Sequence, residues 1–267
     1  MNSGIMLCLR NEFRKMFRMK LTYFSAACAV GIILLWGIGA EYFFPEKGQP
    51  GAGYSFVLIS TQTTLNFLGV ILVLIFSSLQ VTSESSAGTL QMVLVCPVKR
   101  THFYVSKLLT GWVFSVLLLA VMTGTALFVS GLSFGYGDFT EGGIILFRKS
   151  RIFIDMAFCY GLVLVPLLAY CSFGLLVSVL AKNTGTSIGI SVGGVLFLDL
   201  ARERLGLSPY LFQSYIEKPF ELVQSITEGF AVVWKPEIYR ILGISLIWAL
   251  CCAAIGLLVF KRKDYKN

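Results

Sequence analysis

The chain has 267 residues, of which 56% are hydrophobic and only 13% are charged. A water-soluble domain of this length carries about a quarter charged residues, so the composition excludes an ordinary soluble domain. The formal net charge is +8, but no basic folded domain accompanies it, and we therefore expect no nucleic-acid partner.

Six apolar runs are long enough to cross a bilayer, and they cover residues 21–40, 56–80, 108–134, 152–180, 183–200 and 241–260. A hydrocarbon core about 30 Å thick requires roughly 20 helical residues. Because no water reaches backbone amides there, the runs should be helices. The sequence predicts an all-α integral membrane protein with six transmembrane helices, preceded by an interfacial helix.

The predicted organisation has three parts. Residues 1–20 form a cytoplasmic amphipathic interfacial helix, residues 21–260 form a single transmembrane domain, and residues 261–267 form a basic cytoplasmic tail. Within the transmembrane domain, residues 81–107 make the main cytoplasmic connection, and residues 201–240 make an outer segment of one or two helices on or in the outer leaflet.

The distribution of basic residues predicts the orientation. Six spans place both termini on one side, and that side carries 13 of the 22 Lys and Arg residues but 3 of the 14 acidic ones. The positive-inside rule assigns it to the cytoplasm, although Arg148, Lys149 and Arg151 on the other side weaken the bias.

The lead into the first span is predicted to be an amphipathic helix in the headgroup plane, with its cations towards anionic lipid. Its apolar residues are Ile5, Leu9, Phe13, Met16 and Phe17, and its polar residues are Asn11, Arg14, Lys15 and Arg18. The helix either serves only as an anchor or also contacts a cytoplasmic partner.

Polar residues inside the second span allow two interpretations. They are Thr61, Gln62, Thr63, Thr64 and Asn66. Such side chains most often hold transmembrane helices together, and the alternative is that they line a path for a substrate.

The connection 81–107 contains an apolar stripe, Leu90, Val93 and Leu94, which ends at Pro97. This pattern predicts a short amphipathic helix between two spans, on which a soluble partner could push. Lys107 should extend its ammonium back to the membrane interface.

Three glycines recur every four residues in the fifth span, at Gly185, Gly189 and Gly193. A row of small residues allows two helix backbones to approach closely. The partner helix could belong to the same chain or to a second subunit.

Catalytic and metal-binding patterns are missing. The sequence has no G-x-x-x-x-G-K-[ST] loop, no H-E-x-x-H, no G-x-S-x-G, and only one histidine, His102. We therefore expect no catalytic residues, no metal site and no cofactor bound by this chain. Asp155 and Asp199 lie near span ends, close to Arg151 and Arg202, so an ion-coupled carrier has no mid-membrane charge to use.

Three passages carry a resemblance to a known family: NEFRKMFRMK at 11–20, ESSAGTLQMVLVCPVKRTHFYVSK at 84–107 and LLVSVLAKNTGTSIGIS at 175–191. In this order and spacing, the chain resembles the ABC-2 type permease subunits of bacterial ABC transporters. The resemblance implies an exporter in the bacterial inner membrane, built from two permease subunits as a homodimer or heterodimer. A separate cytoplasmic ABC ATPase would bind ATP and Mg²⁺.

The resemblance also implies which residues contact the ATPase. The residues of the coupling segment are Glu84, Gly88, Thr89, Leu90, Leu94, Pro97, Arg100 and Lys107, and those of the lead are Phe13, Arg14, Lys15, Phe17 and Arg18. Glu84 would pair with a basic group of the ATPase, and Leu90 with Leu94 would fill an apolar groove; Gly88 and Pro97 could instead only shape a turn. The competing interpretation is a carrier, scaffold or sensor without an ATPase.

Overall fold

The computed structural model describes residues 3–40, 51–88, 99–141, 144–227 and 235–263. The α-helices in these ranges are α1 Ser3–Arg18, α2 Lys20–Ile38, α3 Ala52–Thr64, α4 Val70–Ser86, α5 Arg100–Ser133, α6 Lys149–Leu180, α7 Thr184–Arg204, α8 Lys218–Thr227 and α9 Lys235–Arg262. A π-helix, Leu65–Gly69, joins α3 to α4, so that residues 52–86 form one continuous rod.

Six helical segments in the described residues are long and apolar enough to cross a membrane. They are Lys20–Ile38, Ala52–Ser86, Arg100–Ser133, Lys149–Leu180, Thr184–Arg202 and Glu237–Arg262. The six predicted spans and the helical fold class are therefore confirmed. The second and third spans, Ala52–Ser86 and Arg100–Ser133, begin or end several residues beyond their apolar runs. An apolar run reflects the thickness of the hydrocarbon core and not the full length of the helix.

A short antiparallel pair of strands, β1 Phe139–Glu141 and β2 Ile144–Phe147, connects α5 to α6. No pattern in the sequence predicts this pair. Phe139 pairs with Phe147, and their rings lie 6.3 Å apart. The pair adds a small cap to the helical fold, on the side of the bundle opposite the two termini.

Helix α6 is the centre of the bundle and packs against α4, α5, α7 and α9. Its neighbours α4 and α5 contact each other through Phe76 and Phe114, whose rings stack at 3.9 Å. By contrast, α2 and α7 are the least buried of the spans. These two helices therefore offer most of their surface to lipid or to another subunit.

Three serines connect α4, α6 and α7. The Ser178 hydroxyl oxygen accepts hydrogen bonds from the backbone N–H groups of Val81 and Thr82, at 3.0 and 3.1 Å. Ser187 donates to the Ser78 carbonyl at 2.9 Å. Small hydroxyls allow the helix backbones to approach closely, as is common between transmembrane helices.

Helices α4 and α6 approach each other closely at Gly174, because this residue has no side chain. A Cβ at this position would lie 2.0 Å from Ser77 Oγ, 3.0 Å from Ser77 Cβ and 3.3 Å from the Leu74 carbonyl oxygen. We expect Gly174→Ala to destabilise the fold by about 1–3 kcal/mol, because α4 and α6 must separate. Thermal unfolding of the purified chain in detergent measures this loss.

The matched control is Gly161→Ala on the same helix, where an added Cβ would meet no atom within 4 Å. Its unfolding temperature should equal that of the unchanged chain or exceed it slightly, since alanine favours helix. Equal unfolding temperatures for Gly174→Ala and Gly161→Ala would contradict the close contact.

Candidate functional site

A cluster of four charged side chains joins three helices on the side of the bundle that carries both termini. It consists of Glu12 and Lys15 from α1, Glu84 from α4 and Lys107 from α5, and we call it the ionic cluster. Two of its members, Glu84 and Lys107, are among the predicted coupling residues, and Lys15 is among the predicted lead residues.

Lys107 is the centre of the ionic cluster and is fully buried, with 0% of its surface exposed. Its ammonium lies 2.9 Å from Glu84 Oε1 and 3.2 and 3.3 Å from the two oxygens of Glu12. It also lies 4.7 Å from the centroid of the Phe103 ring, one turn earlier on α5. The prediction that Lys107 reaches the membrane interface is therefore wrong.

The physical reason is the position of Lys107 along its helix. It lies seven residues after Arg100, where α5 begins, which places it about 10 Å into the bundle. Two carboxylates are available at that depth, and an ammonium bound by them is more stable than one extended through packed side chains. Glu12 completes the site and was missed, although it is the one acidic residue between positions 3 and 20.

The charges of the ionic cluster cancel. Lys15 also donates to Glu84 Oε1, so that two ammonium groups face two carboxylates that are 8% and 9% exposed. A buried ion pair adds little net stability, but removal of one member leaves an uncompensated charge and costs several kcal/mol. The cluster therefore fixes the relative positions of α1, α4 and α5 more than it adds to overall stability.

Helix α1 is held against α5 by its own packing as well. Met16, one turn after Glu12, is 1% exposed, and Phe13 packs at the edge of the core. The other predicted lead residues, Arg14, Phe17 and Arg18, are exposed. The protein-facing side of α1 thus contains Lys15, although the residue pattern predicts this lysine on the polar side of the helix, towards lipid headgroups.

Arg100 binds the end of the last helix instead of standing free. Its guanidinium donates to the carbonyls of Lys261 and Lys263 at 3.1 and 3.2 Å, where α9 ends and leaves carbonyls without intrahelical partners. Lys263 in turn donates to the Val179 carbonyl, at the end of α6, at 2.7 Å. Partial burial and the nearby charge of Lys182 lower the pKa of the Lys263 amine.

Gly88 ends α4 in a left-handed conformation, with φ of +69°. This conformation favours glycine and turns the chain out of the helix. Of the remaining coupling candidates, Thr89, Leu90, Leu94 and Pro97 lie outside the described residues. The left-handed backbone thus explains a glycine at position 88 and agrees with the interpretation that Gly88 shapes a turn.

The polar residues of the second span fall into two groups, one that packs between helices and one that lines an open groove. Thr61 and Thr64 are buried, and Thr64 donates to the Ser60 carbonyl at 2.7 Å, as packing residues do. Gln62, Thr63 and Asn66 instead line an open groove together with Glu217 and Gln224.

The glycine row of α7 is on its exposed face. A Cβ built at Gly185, Gly189 or Gly193 would meet no atom within 4 Å. Among the described residues, these glycines therefore make no close helix contact within the chain, and a contact with a second subunit stays a prediction.

Two sequence-predicted ion pairs are present near the span ends. Arg151 Nε lies 3.0 Å from Asp155 Oδ2, and Arg202 Nε lies 3.0 Å from Asp199 Oδ1. No group of three His, Cys, Asp or Glu side chains in the described part of the chain could hold a metal ion.

A family model described as ABC-2 family transporter protein matches residues 8–198. The match covers most of the chain and extends from α1 to α7, so that all four residues of the ionic cluster lie within it. The chain belongs to the ABC-2 family of transporter proteins. This ABC-2 protein is a multi-pass permease subunit of an ABC transporter and is not itself the catalytic component. No curated protein matches it.

The ionic cluster of the permease gives a direct prediction. Lys107→Met keeps much of the side-chain length but leaves Glu12 and Glu84 close together without their central cation. We expect a loss of about 3–5 kcal/mol in unfolding free energy, measured by thermal unfolding in detergent, together with faster proteolysis of α1.

Two further variants separate charge from packing. Lys20→Met removes an exposed cation on the same side and should leave stability unchanged. Adding Glu12→Gln to Lys107→Met removes the carboxylate that has lost its cation, while Lys15 stays paired with Glu84, and should recover part of the loss. Equal stability of Lys107→Met and Lys20→Met would show that the ionic cluster does not hold α1.

Proposed function

We propose that this permease is the membrane subunit of an ATP-driven ABC-2 exporter in the bacterial inner membrane. Two permease subunits would form the substrate pathway, and a separate cytoplasmic ATPase, which binds ATP and Mg²⁺, would drive it. The observation that supports coupling is the ionic cluster, because it joins α1 to both helices that flank residues 89–98.

The proposed mechanism is mechanical. Closure of the ATPase dimer around ATP moves α1 and the segment 89–98, and the buried cluster transmits this movement to α4 and α5. The contacts of Ser178 and Ser187 with α4 pass it on to α6 and α7. The permease itself then requires only two packings of similar free energy, between which the ATPase selects.

The orientation follows from charge. Exposed Arg10, Arg14 and Arg18 recur every four residues on α1, which suits a helix whose outward side faces anionic lipid headgroups. This arrangement supports a cytoplasmic position for both termini, in agreement with the positive-inside rule.

We place the second permease subunit against the exposed face of α7. Its glycine row offers a flat backbone surface, and without side chains two helices can approach closely. The low burial of α7 within the chain leaves this face available.

The coupling proposal is tested by expressing the chain with its native gene neighbours and purifying it gently in detergent. An ATPase should copurify in stoichiometric amount, and Leu90→Asp should abolish both copurification and transport, because a carboxylate cannot enter an apolar groove without a large desolvation cost.

The matched control for this substitution is Leu205→Asp, at an exposed leucine on the opposite side of the bundle. It should retain the ATPase at the level of the unchanged chain. Recovery of the chain alone, under conditions that preserve known complexes, would favour the carrier or scaffold without an ATPase.

The dimer proposal predicts that Gly189→Leu lowers the yield of cross-linked permease dimers in membranes several-fold. The added side chain has free space within its own chain, so the fold should be retained. Gly243→Leu on α9, where a Cβ also meets no atom within 4 Å, is the control and should cross-link normally. Equal loss in both variants, or in neither, would exclude α7 as the contact.

A further inference from the structure

A pocket of about 360 Å³ lies between the π-helix, α4, α7 and residues 208–217, away from the ionic cluster. Its position along the bundle follows from the contact between Ser78 and Ser187. Asn66 lies twelve residues before Ser78, and Asp199 lies twelve residues after Ser187 on an antiparallel helix. Both residues are therefore about 18 Å from that contact, in the direction away from the termini. We call it the Asn66 pocket; it lies in the half of the bundle opposite the termini.

Residues 208–217 enter this half of the bundle and close one side of the pocket. Phe212 packs edge-to-face against Tyr170 of α6, with ring centroids 4.7 Å apart. The Trp248 indole donates to the Tyr210 carbonyl at 2.9 Å and ties the segment to α9. The polar side chains of this segment are thus held at fixed positions.

Two amide side chains in the pocket have an oxygen that accepts no hydrogen bond from any described residue. Gln213 is 1% exposed, and its Nε2 donates to the Val195 carbonyl at 2.9 Å. The Asn66 Nδ2 donates to Glu217 Oε1 at 2.8 Å. Each donation fixes which end of the amide is oxygen, since two oxygens would repel each other. Gln213 Oε1 and Asn66 Oδ1 are both buried and accept no hydrogen bond within the described residues.

The ionisable groups of the pocket leave one negative charge. Asp199 pairs with Arg202 at 3.0 Å, whereas Glu217 has no cation within 4.0 Å among the described residues. Glu217 is partly buried. A partly buried carboxylate is costly unless it meets a cation, so the Glu217 carboxylate suits a cationic ligand.

The rest of the pocket is apolar. Val70, Ile71 and Leu74 line it from α4 and Val195 from α7, and Ile216 closes it. Phe67 and Leu196 form an exposed rim, at 75% and 57%, so that the pocket opens sideways from the bundle. Asn66 and Phe67 both belong to the π-helix, a distortion that is frequent at functional sites.

We propose that the Asn66 pocket binds an amphipathic cation, namely a primary ammonium group on an apolar body. The ammonium has three donors, which match Gln213 Oε1, Asn66 Oδ1 and the Glu217 carboxylate, and its charge balances Glu217. The apolar body lies against the α4 and α7 walls. As a statement about the transported substrate, this inference rests on the proposed function.

The test is photolabelling of the full chain, with any copurifying subunits, in phosphatidylcholine nanodiscs. The probe is octylammonium with a diazirine at the far end of its chain, and mass spectrometry identifies the labelled residues. Labelling around Phe67, Val70 and Val195 should saturate with probe concentration. Octanoate and octanol carrying the same diazirine should label these positions only without saturation.

Glu217→Gln is the sharpest variant, because it removes the charge and keeps an oxygen for Asn66. We expect the concentration for half-saturation to rise at least about tenfold. Gln213→Leu should do the same, and if it fails to fold, Glu217→Gln decides alone. The control is Glu221→Gln, on an exposed residue that pairs with Lys218, and its labelling should match the unchanged chain.

Equal labelling by the carboxylate probe, or unchanged half-saturation in Glu217→Gln, would overturn the proposal. Phosphatidylethanolamine added to the nanodiscs identifies the source: displacement of the probe by this lipid assigns the site to a lipid amine, and displacement only by soluble amines assigns it to a free amphiphile. Copurification of the ATPase in the same sample is independent, so failure of coupling and failure of binding are distinguished.

Discussion

The buried ammonium of Lys107 is the constraint on which the side of the bundle with both termini depends. An isolated ammonium in this position would cost several kcal/mol, and the carboxylates of Glu12 and Glu84 offset that cost together with the Phe103 ring. Because Glu12 comes from α1 and Glu84 from α4, the buried charge on α5 is compensated when both other helices are docked. The lead helix is therefore a structural part of the bundle as well as a candidate membrane anchor.

The consequence extends along α4. Its last turns carry Glu84 and also accept the serine contacts from α6 and α7, whereas its first turn follows directly on the π-helix. Residues 52–86 thus form one rod with the ionic cluster near one end and the Asn66 pocket beside its middle. Gly174 keeps this rod against α6. A displacement of the cluster has a continuous packed route to the pocket, without any need for charge transfer through the membrane.

The sequence predicted what depends on short separations along the chain. Apolar runs gave the six spans, and spacings of three and four residues gave the pairs Asp199–Arg202 and Arg151–Asp155. Contacts between distant positions could not be read in this way: Lys107 and Glu12 are 95 positions apart, and Asn66 and Glu217 are 151 apart. The glycine spacing in α7 indicated a flat face but not its direction, since that depends on how the whole helix packs. The strands between α5 and α6 are too short to produce a clear alternation.

The two charged sites differ in a way that separates their roles. In the ionic cluster, two cations face two carboxylates, so these four charges cancel and the side chains are held by one another. Among the ionisable groups that line the Asn66 pocket, two carboxylates accompany one guanidinium, and two amide oxygens lack donors among the described residues. A balanced cluster suits docking of one helix on others, whereas an unbalanced pocket with an apolar wall suits a partner that arrives from outside. The difference in charge balance thus agrees with the two proposals, which put mechanical coupling at the ionic cluster and recognition at the Asn66 pocket.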